Sequence, residues 1–211
     1  MVKLFVEGGG LQNWSLNAEC RKGFRQFLEK AGLGGHMPQI VASGARQVAY
    51  EDFCTAIANN EAALLLVDSE APIAANDQPP NVKDWQPWRH LANVADDKWK
   101  KPKGATNEHC HLMVECMENW FLADREALIA FFGQGFLVAK LPHAAILVEE
   151  VSKGQVISAL GAASRKCKTK DPYDKGKHSF DLLGRIDPSK VVAASPWAKR
   201  FVDETKRQMG C

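Results

Sequence analysis

The chain has 211 residues, of which 45% are hydrophobic and 25% are charged. This length suffices for one well-formed core with at most a small appendage, and the composition is that of an ordinary globular protein. No apolar run approaches the roughly 18 residues that a membrane-spanning helix needs, and the first residues lack a secretory leader pattern, so we expect a cytoplasmic protein.

Charge is distributed unevenly along the chain. Residues 1–150 carry 14 Lys and Arg against 19 Asp and Glu, whereas residues 151–211 carry 13 against 6. We therefore expect an acidic α/β core over residues 1–150 and a basic helical region over 151–211 packed on it. Such a division suits a protein that holds metal in one place and phosphates in another, although a solvated helical surface would give the same pattern.

The first 70 residues alternate between strand and helix patterns. The patterns predict strands at Val2–Val6, Pro38–Ser43 and Ala62–Val67, separated by helices over Ala18–Ala31 and around Tyr50–Ala58. Strand, helix, strand, helix, strand favours an α/β layer with a small, mainly parallel sheet flanked by helices.

The next segment, residues 71–106, breaks this alternation. It contains five prolines and three tryptophans, and it is too long for a simple connection. Tryptophans are rare in disordered linkers, so we expect an ordered lid or flap packed near the functional site. An insertion that wraps the surface without a role in chemistry is the alternative.

The remaining residues suggest two more strands and several helices. A buried strand is predicted at His111–Met117, a helix at Asp124–Phe132 and a last short strand at Ala145–Val148. From Lys153 to Met209 the pattern is helical and is interrupted at three Asp-Pro or Ser-Pro pairs.

Three acidic residues follow predicted strands. Glu7 comes after the first strand, and Asp68 and Glu70 come after the third. Because ligands gather beyond the carboxyl ends of parallel strands, we expect these carboxylates to meet at one edge of the sheet. Carboxylate oxygens are the ligands that Mg²⁺ prefers, and the bound ion can orient and activate a phosphodiester. The alternative is that they cap helices or face solvent.

Several other residues are candidate phosphate ligands. Gly8 and Gly9, next to Glu7, would let the backbone approach a phosphate closely. Arg46 follows the second strand and could bind phosphate or pair with a site acid, with an ordinary surface arginine as the alternative. Lys175, Lys177 and His178 form a short basic cluster suited to phosphate contacts, with an ordinary helix-start surface as the alternative.

The Glu-Gly-Gly-Gly motif at residue 7 and the Asp-Ser-Glu motif at residue 68 resemble the signature of Toprim domains. Nearly the whole chain resembles a Toprim-like family of unknown function, most clearly in the segments LLLVDSEAPI, HLMVECMENWFLADREAL and GKHSFDLLGRIDPSKVVAASPWAKRF. Members are similar to the nuclease half of OLD-type anti-phage proteins, and often accompany an ABC-type ATPase.

This resemblance implies roles for individual residues. Glu7 would be a metal ligand or general base, Asp68 and Glu70 metal ligands, and Glu118 a ligand for a second ion. Lys177 would be the basic residue beside the scissile phosphate. One departure is Leu11, which stands where related nucleases often carry a second acid.

Two function classes follow from these observations. The first is a Mg²⁺- or Mn²⁺-dependent nuclease that cuts DNA or RNA as the effector of an anti-phage system, under the control of an ABC-type ATPase partner. The second is a non-catalytic interaction subunit with the same fold, which the leucine at position 11 favours.

Overall fold

A four-stranded parallel sheet forms the centre of the fold. The computed structural model describes residues 1–9, 14–95 and 97–211, and within these residues the strand order is β2-β1-β3-β4. Every neighbouring pair in the sheet is parallel. The strands are β1 (Lys3–Val6), β2 (Gln39–Ala42), β3 (Ala63–Asp68) and β4 (Cys110–Met113).

Helices cover both faces of this sheet, which confirms the predicted α/β class. Most of the later helices begin at an Asp or Ser whose side chain accepts a hydrogen bond from the first turn. The helices are α1 (Trp14–Leu28), α2 (Arg46–Ala58), α3 (Pro87–Asn93), α4 (Glu118–Phe121), α5 (Arg125–Phe132), α6 (Lys153–Ser164), α7 (Lys175–Arg185), α8 (Pro188–Ala194) and α9 (Pro196–Met209).

Two apolar cores lie on opposite faces of the sheet because successive side chains of a strand point to opposite faces. In β3, Leu64 and Leu66 belong to the core that also includes residues of α1 and α4 to α9. Leu65 and Val67 belong to the core formed with α2, α3 and the tryptophans of the insertion. All six residues of β3 are buried, as expected for a central strand covered on both faces.

The proline-rich insertion, residues 71–106, packs into the core that contains Leu65 and Val67. Trp85, Trp88 and Trp99 are each 6% exposed or less. The ring of Trp88 stacks on Phe53 of α2 with a centroid distance of 5.7 Å, and Trp99 stacks on Tyr50 at 4.5 Å. These contacts hold the insertion against α2, which begins at the carboxyl edge of the sheet.

The structure corrects some predicted element boundaries. The first helix begins at Trp14, and the fourth strand ends at Met113 because the chain turns toward α4 there. The predicted strand at Ala145–Val148 is wrong. Residues 145–147 lie on the surface outside any strand, with Ile146 45% and Leu147 60% exposed, and Val148 is buried but begins a short 3-10 turn.

Among the described residues, no helix is both long enough and apolar enough to cross a membrane.

Candidate metal centre

Glu7, Asp68 and Glu70 converge at the carboxyl edge of the sheet. Glu7 directly follows β1, Asp68 is the last residue of the adjacent strand β3, and Glu70 lies two residues beyond. Each residue offers one carboxylate oxygen, and these three oxygens all lie within 4.8 Å of one another. The predicted meeting of these carboxylates is therefore what the structure shows.

Asp68 is the most deeply placed of the three, with only 1% of its side chain exposed. The backbone N–H of Met117 donates to its Oδ1 over 2.9 Å, which fixes the carboxylate toward the edge of the sheet. Burial, together with the charge of Glu7, raises the pKa of Asp68 to about 7, although nearby lysines act in the opposite direction. An ionised carboxylate at this depth calls for positive charge beside it.

Glu7 is held by its neighbour strand and by Arg46. The backbone N–H of Asp68 donates to Glu7 Oε2 over 3.1 Å, and Arg46 Nη1 donates to the same oxygen over 3.2 Å. The guanidinium also pairs with Asp97 over 2.6 Å and lies 4.6 Å from the ring centroid of Trp99. Asp97 and Trp99 both come from the insertion, so this segment reaches the acidic cluster through Arg46.

These contacts differ from the predicted phosphate-binding role of Arg46. Its Nη1 is also bonded to the backbone carbonyl of Asp68, and its other nitrogens are taken by Asp97. Burial would lower the pKa of Arg46, but hydrogen bonding to Asp97 and the charge of Glu7 outweigh it, and the pKa is raised. Pairing with a site acid, the other possibility open from the sequence, is what the structure contains.

Glu70 reaches the cluster from an unusual backbone conformation. Its φ of +62° lies in the left-handed region, which disfavours residues with a Cβ. Both of its carboxylate oxygens accept hydrogen bonds from Lys153 Nζ, at 2.6 and 2.7 Å. The Asp-Ser-Glu turn is further fixed by His90 of the insertion, whose Nε2 lies 2.8 Å from the Ser69 carbonyl oxygen. Strained residues of this kind concentrate at functional sites.

Lys175 links Asp68 to a second buried acid. Its Nζ lies 3.5 Å from Asp68 Oδ2 and 3.7 Å from Glu118 Oε2. Glu118 is completely buried, and its Oε1 accepts a hydrogen bond from Tyr173 Oη over 2.8 Å. Its Oε2 has no hydrogen-bond partner among the described residues. Burial would lower the pKa of Lys175, but the charges of Asp68 and Glu118 outweigh it and raise the pKa.

The ion pairs of this region form two groups with an excess of negative charge, and hydrogen bonds to the backbone of Asp68 join them into one network. Among the residues that the structure describes, five carboxylates are joined to three basic side chains: the acids are residues 7, 68, 70, 97 and 118, and the bases are residues 46, 153 and 175. With all groups ionised the network carries a formal charge of −2. One divalent cation would neutralise this charge.

The donor set also fits a hard divalent cation. Opposite oxygen ligands of Mg²⁺ are about 4.2 Å apart, twice the metal–oxygen distance of about 2.1 Å. The present spacing of up to 4.8 Å needs only a small contraction to reach that geometry. The orphaned oxygen of Glu118 lies next to this group but is not one of the three clustered ligands, so it stays a candidate for a second ion.

The other predicted phosphate ligands lie apart from the acids. Lys177 is 65% exposed and pairs with Asp171 over 3.5 Å. His178 is buried, its Nδ1 accepts from the Asp174 backbone N–H, and its ring packs against Phe131 and Phe132. Within the basic cluster at the start of α7, the residue that the structure brings to the acids is Lys175, not Lys177.

The glycines beside Glu7 have a structural role. The backbone N–H and carbonyl of Gly8 exchange hydrogen bonds with Gly44, so its N–H is not open to a phosphate. Gly9 has a φ of +94°, and a Cβ there would collide with Asn17 of α1. Gly10 and Leu11, including the departure noted at position 11, lie outside the described residues.

Two residues of the network, Lys153 and Asp97, were not predicted from the sequence, and only Lys153 carried a signal. Lys153 and Lys175 are the first residues of α6 and α7, and neither helix has an acid in its first turn. A cation at a helix N-terminus opposes the helix dipole by about 0.3–1 kcal/mol, so two such lysines indicate that acids lie nearby. Asp97 had no comparable signal because its partner Arg46 is 51 residues away.

Comparison with known proteins identifies the family. No curated protein and no solved structure matches the chain. The model of one family, described as a domain of unknown function (DUF4276), matches residues 6–205 and therefore spans the acidic cluster and all but the ends of the sequence. The chain belongs to the DUF4276 family.

Proposed function

We propose that this protein is a Mg²⁺- or Mn²⁺-dependent nuclease that hydrolyses phosphodiester bonds in DNA or RNA. The observation that carries the proposal is the convergence of Glu7, Asp68 and Glu70 in a network with two surplus negative charges. A structural ion-pair network has no need of such a surplus, because buried charges are stable only when they are balanced.

Each group of the site has a defined task in this proposal. Glu7, Asp68 and Glu70 hold the cation, which would supply charge stabilisation for a phosphodiester and an activated water. Arg46 keeps the Glu7 carboxylate in place while Asp97 balances the guanidinium. Lys175 is 49% exposed at the start of α7, so its ammonium can contact a phosphate oxygen from the solvent side of the acids.

The resemblance to Toprim domains supports the same reading. The motifs Glu7-Gly-Gly and Asp68-Ser-Glu70, on which the resemblance rests, are the residues that come together in the cluster. By the same resemblance, we propose that the protein is the cytoplasmic effector of an anti-phage system and that an ABC-type ATPase triggers it.

Cleavage assays with point variants test this function. The protein is incubated with plasmid DNA and with total RNA in Mn²⁺, with and without the partner ATPase. We expect Glu7→Gln and Asp68→Asn to abolish cutting, and Lys175→Gln to slow it by at least about a hundredfold, as for loss of a transition-state charge contact. The preferred polymer identifies the substrate as DNA or RNA.

Matched variants separate chemistry from folding. Asp77→Asn removes a buried acid paired with Arg89 outside the cluster, and Lys177→Gln removes the neighbouring lysine of α7. Both should cut at the wild-type rate. Normal cutting by Asp68→Asn, or equal losses in Lys175→Gln and Lys177→Gln, would contradict the proposed site.

The second candidate function is a non-catalytic interaction subunit. It is favoured by one observation: every acid of the cluster already contacts a basic side chain of the same chain. Calorimetric titration with Mn²⁺ distinguishes the two functions. A nuclease should bind the ion at a site that Asp68→Asn eliminates, whereas a scaffold should bind none there.

A further inference from the structure

One tryptophan differs from the other five. The side chain of Trp14, the first residue of α1, is 84% exposed, whereas those of the remaining tryptophans are at most 6% exposed. An indole exposed to this extent leaves a large apolar surface in water, which suggests a ligand that covers it.

The packing of α1 places Trp14 at the edge of the sheet that holds the acids. Gly9, two residues after Glu7, lies against Asn17 in the first turn of α1. Asn17 is three residues from Trp14, a rise of about 4.5 Å along the helix. The indole therefore begins a helix whose first turn contacts the loop that carries Glu7.

The same end of the molecule contains the start of α7. Gly23 of α1 lies against Phe180, and Gln26 lies against Gly184, so α1 and α7 run in the same direction. Trp14 precedes Gly23 by nine residues and Lys175 precedes Phe180 by five. Consequently, α1 extends about 6 Å, or roughly one turn, beyond the lysine that contacts Asp68.

A strongly basic segment leads to this point. Residues 165–170 contain four Lys and Arg and no acid. Arg165, Lys166 and Lys168 are exposed, and none of them has a salt bridge within residues 1–9, 14–95 and 97–211. Cations without internal partners favour a polyanionic ligand.

This segment is continuous with the acidic cluster. The Lys168 backbone N–H donates to Gln134 just after α5, and Lys170 Nζ lies 4.2 Å from the Phe131 ring centroid. Phe131 in turn contacts His178 in α7. Three residues beyond the segment, Tyr173 donates a hydrogen bond to Glu118. The basic segment and Trp14 thus flank the start of α7 and the metal ligands.

We propose that Trp14 and the basic segment bind single-stranded nucleic acid, with an unpaired base stacked on the indole and phosphates contacted by Lys166 and Lys168. Bases within a duplex do not present a free face, whereas an unpaired base can stack on an exposed aromatic ring. The inference rests on the proposed nuclease function and deepens it, because it names single-stranded DNA or RNA as the substrate class.

Fluorescence tests this inference without catalysis. The full chain in EDTA is titrated with a single-stranded oligonucleotide of about 12 nucleotides, within the range that one such groove covers, and with a duplex of the same sequence. Since Trp14 is the exposed indole, quenching by iodide reports on it. The single strand should quench the emission of Trp14 and protect the remaining emission from iodide. The duplex should produce both effects much more weakly.

Variants assign the binding to these residues. Trp14→Leu should weaken single-strand binding by about tenfold or more, with partial recovery in Trp14→Phe. The double variant Lys166→Gln, Lys168→Gln should weaken binding and reduce its log–log salt slope by about 1.4. Lys101→Gln with Lys103→Gln removes two exposed lysines beside Gly104, which contacts Ile57 near the far end of α2, and should leave binding unchanged.

Three outcomes would overturn the inference. The first is equal affinity for single strand and duplex, and the second is unchanged binding by Trp14→Leu. The third is a Trp14 emission that responds to the partner ATPase and to no nucleic acid, which would assign the indole to a protein interface. Because the titration is done in EDTA, it measures binding separately from cleavage. A protein that binds single strands through Trp14 but never cuts would therefore refute the nuclease function alone.

Discussion

The backbone of Glu70 leads to a prediction in which stability and metal binding change independently. At φ +62°, a residue with a Cβ is disfavoured by about 1–2 kcal/mol relative to its ordinary conformations, a cost that glycine avoids. Glycine in turn lowers the free energy of unfolding by about 0.5–1 kcal/mol, because the unfolded chain has more conformational freedom at a glycine. Glu70→Gly should therefore be more stable than Glu70→Ala by about 1 kcal/mol, the difference between these two effects.

The difference in stability between the two variants does not include the ion pair of Glu70 with Lys153, because neither variant can form it. Both lose the contact with Lys153, which is worth less than about 1 kcal/mol because the two side chains are 32% and 29% exposed. For a chain of this size, 1 kcal/mol corresponds to about 2–4 °C in Tm. Thermal unfolding followed by circular dichroism measures this difference, and Mn²⁺ calorimetry should show that both variants lose the metal site.

Asn60 provides a matched control. It adopts a φ of +59° at an exposed turn after α2 and belongs to no proposed site. Asn60→Gly should likewise exceed Asn60→Ala in stability, while both retain metal binding. If Glu70→Ala proves more stable than Glu70→Gly, as is usual at an ordinary backbone position, the left-handed conformation of Glu70 is refuted.

Three further predictions concern individual carboxylates. Asp68→Asn removes one buried charge from a network with surplus negative charge, so the metal-free variant should keep the wild-type Tm or exceed it. A fall in Tm of more than about 4 °C, or 1 kcal/mol, would contradict this. Asp97→Asn releases Arg46 from its second partner, so Mn²⁺ affinity should fall by about tenfold in calorimetry while unfolding changes little. Burial would raise the pKa of Asp124, but hydrogen bonds, chiefly from Lys190, outweigh burial and lower the pKa. The ionised Asp124 therefore stabilises the fold above pH about 4, and this stabilisation is lost as the pH falls through the lowered pKa. Urea unfolding should therefore show Asp124→Asn to be weaker than wild type by about 1 kcal/mol at pH 7, with the gap closing in acid; a pH-independent gap would be inconsistent with this assignment.

Local patterns were sufficient to locate the main acids. Glu7 and Asp68 could be placed because apolar runs of strand length end at them, and parallel strands align their carboxyl ends. The same patterns failed at Ala145–Val148, where three of the four residues of a short apolar run are exposed. Burial there depends on what the rest of the chain covers, which no local pattern contains.

The phosphate ligands show a different limit. Lys175 and Lys177 are two residues apart, so on a helix they point roughly 200° away from each other and only one can face the acids. The cap by Asp174 sets where α7 begins, and the packing of α7 on α1 sets its rotation. Neither is readable from the basic cluster alone, so the pattern offered Lys175, Lys177 and His178 together, and the family resemblance pointed to Lys177.

The sequence by itself determined the α/β class, the edge of the sheet where acids gather and the basic character of the last third, because these depend on short-range periodicity and on strand ends. Only the tertiary structure decided which cations balance those acids. Arg46, Lys153 and Lys175 come from three separate helices, and their meeting with Asp68 depends on packing across the whole chain.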